Sequence, residues 1–90
     1  MGKIIKPAAC GTHESSDVFV MLEPGSGGLD IQIESVVMKQ FGDEILAVTK
    51  DVLREFDIEN ARVSVVDHGA LECVLRARVE CAVLRAKGEC

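Results

Sequence analysis

The segment Gly11 to Asp17, GTHESSD, holds the densest group of side chains in the chain that could take part in chemistry. Ser15 and Ser16 lie between carboxylates, and His13 precedes Ser15 by two residues. Nucleophilic catalysis needs serine, imidazole and acid joined by hydrogen bonds beside an oxyanion hole. No G-x-S-x-G elbow surrounds these serines, so such catalysis is not predicted. The same residues also suit a polar turn, with Ser16 or Asp17 bonded to nearby backbone.

The cysteines, histidines and carboxylates do not form a predicted metal site. The four cysteines contain no C-x-x-C pair, and the two histidines are not at zinc-finger spacing. Cys73 and Cys81 lie about 12 Å apart along a predicted helix, too far for a disulfide. We expect reduced thiols, two of them on the core side. Glu14, Asp17 and Asp67 are scattered carboxylates typical of solvated surface, and no Mg²⁺ site is predicted.

Composition excludes several classes of function. The chain has 90 residues, of which 48% are hydrophobic, so one folded domain is expected. Ten basic against fifteen acidic side chains give a formal charge of -5, which disfavours nucleic acid as a partner. The uncharged runs are too short to cross a bilayer. The beginning of the sequence, MGKIIKPAAC, lacks the apolar core of a secretory signal, so we expect a cytoplasmic protein.

Two strands and a helix are predicted in the first two thirds of the chain. Val18 to Leu22 is a β-favouring apolar run, and Leu29 to Glu34 alternates apolar and polar residues. The glycine-rich connection between them predicts antiparallel neighbours. From Ser35, a predicted N-cap, the apolar spacing becomes that of a helix face. Its members are Val37, Phe41, Ile45, Val48, Val52 and Phe56.

A third strand, RVSVV, and a second helix complete the predicted order ββαβα. The second helix runs from Ala70 to about Lys87, and Arg78 and Arg85 interrupt its apolar side. The apolar residues on that side are Leu71, Val74, Leu75, Cys81 and Ala82. The predicted fold is a small α+β domain over residues 1–90. It has an irregular segment at 1–16 and a core at 17–87, in which two helices cover one face of a mixed or antiparallel three-stranded sheet. A right-handed crossover joins strands 2 and 3, and strand 1 is the preferred middle strand.

Four segments resemble the citrate lyase acyl carrier protein (gamma subunit) family. They are GTHESSD before an apolar strand, KQFGDEI (Lys39 to Ile45), DVL (Asp51 to Leu53) and DHGALECVLRARVE (Asp67 to Glu80). They occur in the family's order and at matching distances, and the resemblance covers nearly the whole chain. The sequence departs from the family at His13, where an aliphatic residue is more frequent, and at His68, where Lys or Arg is usual.

The resemblance implies a carrier subunit that is not itself an enzyme. The serine matching Ser15 carries phosphoribosyl-dephospho-coenzyme A through a phosphodiester, and the group ends in a thiol. The alpha subunit exchanges acetyl for citryl on that thiol, and the beta subunit releases oxaloacetate and regenerates the acetyl form. A prosthetic-group transferase loads the serine, for which Ser16 is the competing position. The chain has no D-S-L motif at a helix start, which argues against an ordinary 4′-phosphopantetheine carrier.

Arg78 and Arg85 allow two interpretations. They are candidates for docking the lyase subunits or for contacting phosphates of the arm. The other interpretation, favoured because long basic side chains do this routinely, is that their stems cover the core edge while the guanidinium groups reach water or a carboxylate. The alternative functions are the carrier subunit of malonate decarboxylase or of citramalate lyase, or a small interaction domain without a covalent arm. A free-standing enzyme is the least favoured class.

Overall fold

Two helices cover one face of a mixed sheet in the computed structural model, which describes residues 4–88. The elements are β1 (Ala8–Gly11), β2 (Val18–Glu23), β3 (Leu29–Ser35), α1 (Met38–Glu55), β4 (Ala61–Asp67) and α2 (Glu72–Ala86). None of the helices in the described part is long and apolar enough to span a bilayer.

The strand order in the sheet is β1-β2-β4-β3. β2 pairs antiparallel with both of its neighbours, and β3 pairs parallel with β4. Two parallel neighbours need a crossover, and α1 supplies it. β1 and β3 are therefore the edges of the sheet, and β4 and β2 are its interior strands.

The core lies between the sheet and the helices because apolar residues alternate along the interior strands. Val18, Val20 and Leu22 of β2 are fully buried, and Val63 and Val65 of β4 are nearly so. The intervening side chains point to the opposite face, which neither helix of the described residues 4–88 covers. The helices contribute fully buried side chains to the same core: Val52, Leu53, Val79, Ala82, Val83 and Ala86.

The predicted α+β class with both helices on one face is confirmed, but the sheet has four strands instead of three. The extra strand, β1, lies in the segment 1–16 that was predicted to be irregular. Its sequence, AACG, lacks the β-branched and aromatic residues that signal a strand. β1 forms because it pairs with β2, from Ala8 opposite Leu22 to Gly11 opposite Phe19.

The predicted neighbour relation of the first two strands was also wrong. The strand at Val18–Glu23 does not pair with Leu29–Ser35, because β4 lies between them, and Arg62 is opposite both Glu23 and Asp30. Strands two places apart are about 10 Å apart. A connection of five residues can span that distance, since an extended residue covers about 3.3 Å. The glycine-rich segment is thus a bridge over one strand and not a tight hairpin.

The helix starts differ from prediction because Ser35 is the last residue of β3. Its hydroxyl donates to Asp67 Oδ2 at 2.8 Å and accepts the Val37 N–H at 3.0 Å. Helix α1 consequently begins at Met38, with Val37 as its N-cap. Helix α2 begins at Glu72, two residues after its predicted start at Ala70.

The cysteines are distributed between core and surface. Cys10 is buried in β1, Cys81 is half-buried against the core, and Cys73 is exposed. Cys10 and Cys81 are thus the two thiols on the core side. Cys90 lies outside the described residues.

Gly11 ends β1 in a conformation that only glycine adopts easily, with φ at 107°. A Cβ at this position would overlap the carbonyl oxygen of Val18. Gly27 is a matched control, because its φ is also positive at 81° but a Cβ there meets nothing within 4 Å.

We predict that Gly27→Ala lowers the free energy of unfolding by about 1–2 kcal/mol, the cost of the left-handed backbone alone. Gly11→Ala should cost about 3 kcal/mol or more, because the overlap also forces β1 away from β2. Urea unfolding followed by circular dichroism measures both values. Equal losses in the two variants would contradict the close approach at Gly11.

Candidate functional site

The serine loop, Thr12 to Asp17, connects β1 to β2 at one end of the sheet. It lies against the β4–α2 turn, His68 to Leu71. The Ser16 N–H donates to the His68 carbonyl at 2.8 Å, and the His68 N–H donates to the Asp17 carbonyl at 2.9 Å. These two bonds fix the position of the loop relative to the central strand β4 and the start of α2.

A four-residue turn forms the tip of the loop. The Asp17 N–H donates to the Glu14 carbonyl at 3.2 Å, which places Ser15 and Ser16 at the two central positions. Ser16 has a φ of 64°, as expected at the second central position of a type II turn. Ser15 is therefore at the first corner of the turn.

The Ser15 side chain is exposed to solvent and has no hydrogen-bond partner among residues 4–88. Ser16 is exposed as well. A hydroxyl in this state can be approached by an outside enzyme that brings its own base. Nothing in the loop activates Ser15 as a nucleophile.

The Asp17 carboxylate holds the loop together through hydrogen bonds to both of its oxygens. Oδ1 accepts the Val18 N–H at 2.7 Å and Arg78 Nε at 3.1 Å. Oδ2 accepts the Thr12 hydroxyl at 2.6 Å and Arg78 Nη2 at 2.9 Å. One carboxylate thus joins both ends of the loop to α2, and the paired geometry with the guanidinium is the strongest kind of charged hydrogen bond.

This arrangement sets the electrostatics of the site. The Arg78 guanidinium, followed by the Thr12 hydroxyl and the Val18 N–H, holds the pKa of the Asp17 carboxyl well below its ordinary value of 3.8. Asp17 in turn raises the pKa of Arg78. The Asp17 side chain is only 15% exposed and its charge is compensated by Arg78. Among the loop carboxylates, Glu14 is the exposed one.

A pair of histidines adds a side-chain contact between the loop and the β4–α2 turn to the two backbone hydrogen bonds. His13 Nδ1 lies 3.2 Å from His68 Nε2, a distance at which one imidazole donates to the other. The His13 ring also stacks on Phe19 of β2, with centroids 4.7 Å apart. The two residues at which the sequence departs from the resembled family are therefore in contact.

Asp67 orders the turn on which the loop rests. Its carboxylate is buried and accepts hydrogen bonds from the Ser35 hydroxyl, the Gly69 N–H and the Ala70 N–H. Asp17 and Asp67 thus have separate structural partners. Within residues 4–88, no three His, Cys, Asp or Glu side chains are grouped closely enough to hold a metal ion.

The two arginines singled out from the sequence make different contacts. Arg78 pairs with Asp17 as described, and its side chain is 35% exposed. Arg85 is exposed, and its Nη1 donates to the Ala9 carbonyl of β1 at 2.8 Å. The Arg85 contact satisfies an acceptor on an edge strand, where backbone groups otherwise stay unpaired.

Comparison with known proteins defines the class. The family model described as ACP: Malonate decarboxylase delta subunit (MdcD) matches residues 5–86. The citrate lyase acyl carrier protein of Cronobacter sakazakii is 50% identical over 84 residues, which cover 93% of this chain and 87% of the relative. The citrate lyase acyl carrier protein 2 of Salmonella typhimurium is 52% identical over 85 residues, or 93% and 88% of the two chains.

A solved structure supports the same assignment. A chain in the crystal structure of a Pseudomonas malonate decarboxylase hetero-tetramer in complex with malonate superimposes with a TM-score of 0.77 and 28% identity, covering 94% of this chain and 89% of that chain. The fold and these matches define an acyl carrier protein. The chain belongs to the family that contains the citrate lyase acyl carrier proteins and the malonate decarboxylase delta subunits, and the resemblance found in the sequence is confirmed.

We predict that Asp17→Asn destabilises the protein in a pH-dependent way. Because folding lowers the pKa of Asp17, its stabilising effect is complete above the ordinary value of 3.8 and is lost as the pH falls below it. The wild type should therefore melt at a higher temperature than Asp17→Asn near neutral pH, and the gap should narrow as the pH falls towards about 2.

Thermal melts at a series of pH values measure this difference. Glu14→Gln is the matched control, since it removes an exposed loop carboxylate that has no ion pair in the described part of the chain. Its melting temperature should follow that of the wild type at every pH. A gap for Asp17→Asn that is independent of pH would contradict the pairing with Arg78.

Proposed function

We propose that the chain is the acyl carrier subunit of a citrate lyase and that Ser15 is its attachment point for phosphoribosyl-dephospho-coenzyme A. The observation that carries this proposal is the exposed Ser15 side chain at the corner of a turn that hydrogen bonds fix to the β4–α2 turn. It occurs in a chain about half identical to citrate lyase acyl carrier proteins of several bacteria.

The surroundings of Ser15 fit a bulky phosphodiester. The hydroxyl is exposed, so no core side chain has to move when it is esterified. A phosphodiester adds a negative charge beside two carboxylates, but Arg78 compensates that of Asp17. Glu14 is exposed, and water and salt screen its repulsion.

The backbone favours Ser15 over Ser16 as the attachment residue. Ser16 is held in the left-handed region with φ at 64°, and its N–H bonds to the His68 carbonyl. A transferase acting on Ser16 would have to work next to this fixed contact. Ser15 lies at the first central position of the turn, its φ is outside the left-handed region, and its N–H makes no hydrogen bond to the β4–α2 turn.

In this role the protein positions an acyl group and performs no reaction itself. The attached group supplies a terminal thiol that holds the acyl group as a thioester. Thr12, Asp17 and Arg78 keep the attachment point at a fixed place on a compact domain. A long arm on a fixed base raises the effective concentration of the thioester at each active site it can reach.

The partners in this proposal are the alpha and beta subunits of citrate lyase and the transferase that loads Ser15. We place the protein in the cytoplasm. Arg78 and Arg85 stay candidates for contacts with the lyase subunits. Arg78 already forms an ion pair with Asp17, whereas Arg85 donates a hydrogen bond to the Ala9 carbonyl. Arg85 is therefore the more available of the two for a contact with a partner subunit.

A second candidate function is the carrier subunit of a malonate decarboxylase. The family model is described as the delta subunit of malonate decarboxylase, and the solved structure is that of a malonate decarboxylase hetero-tetramer. The identity of 28% to the chain in the decarboxylase structure is well below the 50% to a citrate lyase carrier, which favours citrate lyase.

Intact-mass measurement tests the attachment site. The chain should be produced together with the enzymes that make and transfer the prosthetic group. We predict a mass gain equal to the phosphoribosyl-dephospho-coenzyme A adduct in the wild type and in Ser16→Ala, and complete loss of the gain in Ser15→Ala. Ser15→Ala should unfold within about 0.5 kcal/mol of the wild type, since an exposed side chain without partners contributes little.

A gain that survives Ser15→Ala and disappears in Ser16→Ala would move the site by one residue. No gain in any variant would contradict the carrier proposal. Activity of the loaded chain with purified citrate lyase or malonate decarboxylase subunits then separates the two candidate functions.

A further inference from the structure

Large apolar side chains are exposed where the N-terminal ends of α1 and α2 meet. Val36 is 71% exposed, Leu71 70%, Met38 47% and Phe41 46%. Phe41 and Leu71 line a groove of about 310 Å³ whose floor includes Ile45, Val48 and Leu75. We call this feature the α1–α2 groove.

The groove continues the apolar stripes of both helices past the point where the core ends. Phe41 lies on the helix face that was predicted to be buried, one turn before the buried Ile45. Leu71 was predicted on the apolar side of α2, one turn before the buried Leu75. The fold buries Ile45, Val48 and Val52 of one stripe and Leu75 of the other. It leaves Phe41 and Leu71 exposed, which is typical of a surface that another molecule covers.

The groove and the serine loop share a wall. Asp67, Gly69 and Ala70 line the groove, and His68 of the same turn makes the two backbone hydrogen bonds to the loop. The Asp67 carboxylate fixes the turn by accepting the Gly69 and Ala70 N–H groups. A molecule seated in the groove would therefore lie at a fixed position relative to Ser15.

The charges around the groove select among possible occupants. Glu44 and Glu72 line it, and the chain as a whole carries a formal charge of -5. Arg76 Nε lies 3.6 Å from Glu72 Oε2, but Arg76 also pairs with Asp51 and Glu55. One cation therefore faces three carboxylates, and the rim of the groove stays acidic. A second copy of this chain would bring acidic rims together, and a prosthetic arm with phosphates would meet like charge. A protein with an apolar side chain flanked by Lys or Arg fits best.

We infer that the α1–α2 groove is the docking site for a catalytic subunit of the lyase, which inserts an apolar side chain flanked by basic residues. This inference rests on the proposed function. It places the main docking contact on the apolar surface next to the serine loop, in addition to the candidate contacts at Arg78 and Arg85. Docking here brings the base of the arm to a constant place without engaging the serine loop itself.

Leu71→Ser is the decisive variant, because it removes the apolar side chain without weakening the helix. Leu71 is the N-cap of α2 and makes no side-chain capping bond, whereas Ser is a favoured N-cap residue. Ile5→Ser is the matched control, since Ile5 is 63% exposed and is hydrogen-bonded through its backbone to Ala86 near the C-terminal end of α2.

Binding of each full-length variant, with and without the arm, to the purified alpha and beta subunits is measured by titration calorimetry. We expect Leu71→Ser and Phe41→Ala to raise the Kd for one of the subunits by about tenfold or more, as for a buried apolar anchor. Ile5→Ser should leave the Kd within about twofold of wild type. Glu44→Gln should weaken binding less and reduce its dependence on salt.

Two controls distinguish the possible failures. Loading of Ser15, measured by intact mass, should be the same in Leu71→Ser as in the wild type. Absence of loading in both would mean that the carrier proposal fails, whereas the Kd values test the docking site. An unchanged Kd in Leu71→Ser and Phe41→Ala, or an equal loss in Ile5→Ser, would overturn the docking site. Self-association of the wild type that Leu71→Ser abolishes in sedimentation experiments would assign the groove to a second copy and overturn it as well.

Discussion

The ion pair between Asp17 and Arg78 is the interaction on which the site depends. The two residues are 61 positions apart, and their contact fastens the loop between β1 and β2 to helix α2. The same carboxylate also binds the Thr12 hydroxyl and the Val18 N–H, so it holds both ends of the loop. With the ends fixed in this way, the turn at Ser15 and Ser16 can stay in solvent without becoming disordered.

The rest of the fold supports this contact. β1 is a short edge strand of small residues, and it can lie close to β2 because Gly11 has no side chain to meet the Val18 carbonyl. Arg85 satisfies the Ala9 carbonyl on the open side of that strand. On the other side of the loop, the buried Asp67 orders the β4–α2 turn that receives the backbone bonds of the loop. An exposed hydroxyl on a rigid base is what a flexible covalent arm requires.

The sequence predicted those features that depend on local periodicity. Both helices and the alternation in the strands follow from the spacing of apolar residues between Val18 and Lys87. The crossover between the second and third predicted strands follows from their order along the chain, with a helix between them. β1 was missed because AACG has no local strand signal and pairs only when β2 is in place. The strand order was missed because a glycine-rich connection fits both a hairpin and a bridge over one strand.

The contacts of the site were less predictable than the fold. The Asp17–Arg78 pair could not be predicted from spacing, although an arginine inside an apolar helix face was a sign that this arginine needed a partner. Phe41 and Leu71 were assigned to the core by their periodicity, and their exposure is visible only when the end of the core is known.

Fragmentation mass spectrometry of the loop peptide from the loaded protein tests the central claim most directly. The account predicts that the phosphodiester adduct is found on Ser15 of the unaltered chain, with Ser16 unmodified. Localisation of the adduct on Ser16, or on a residue outside Thr12 to Asp17, would contradict it.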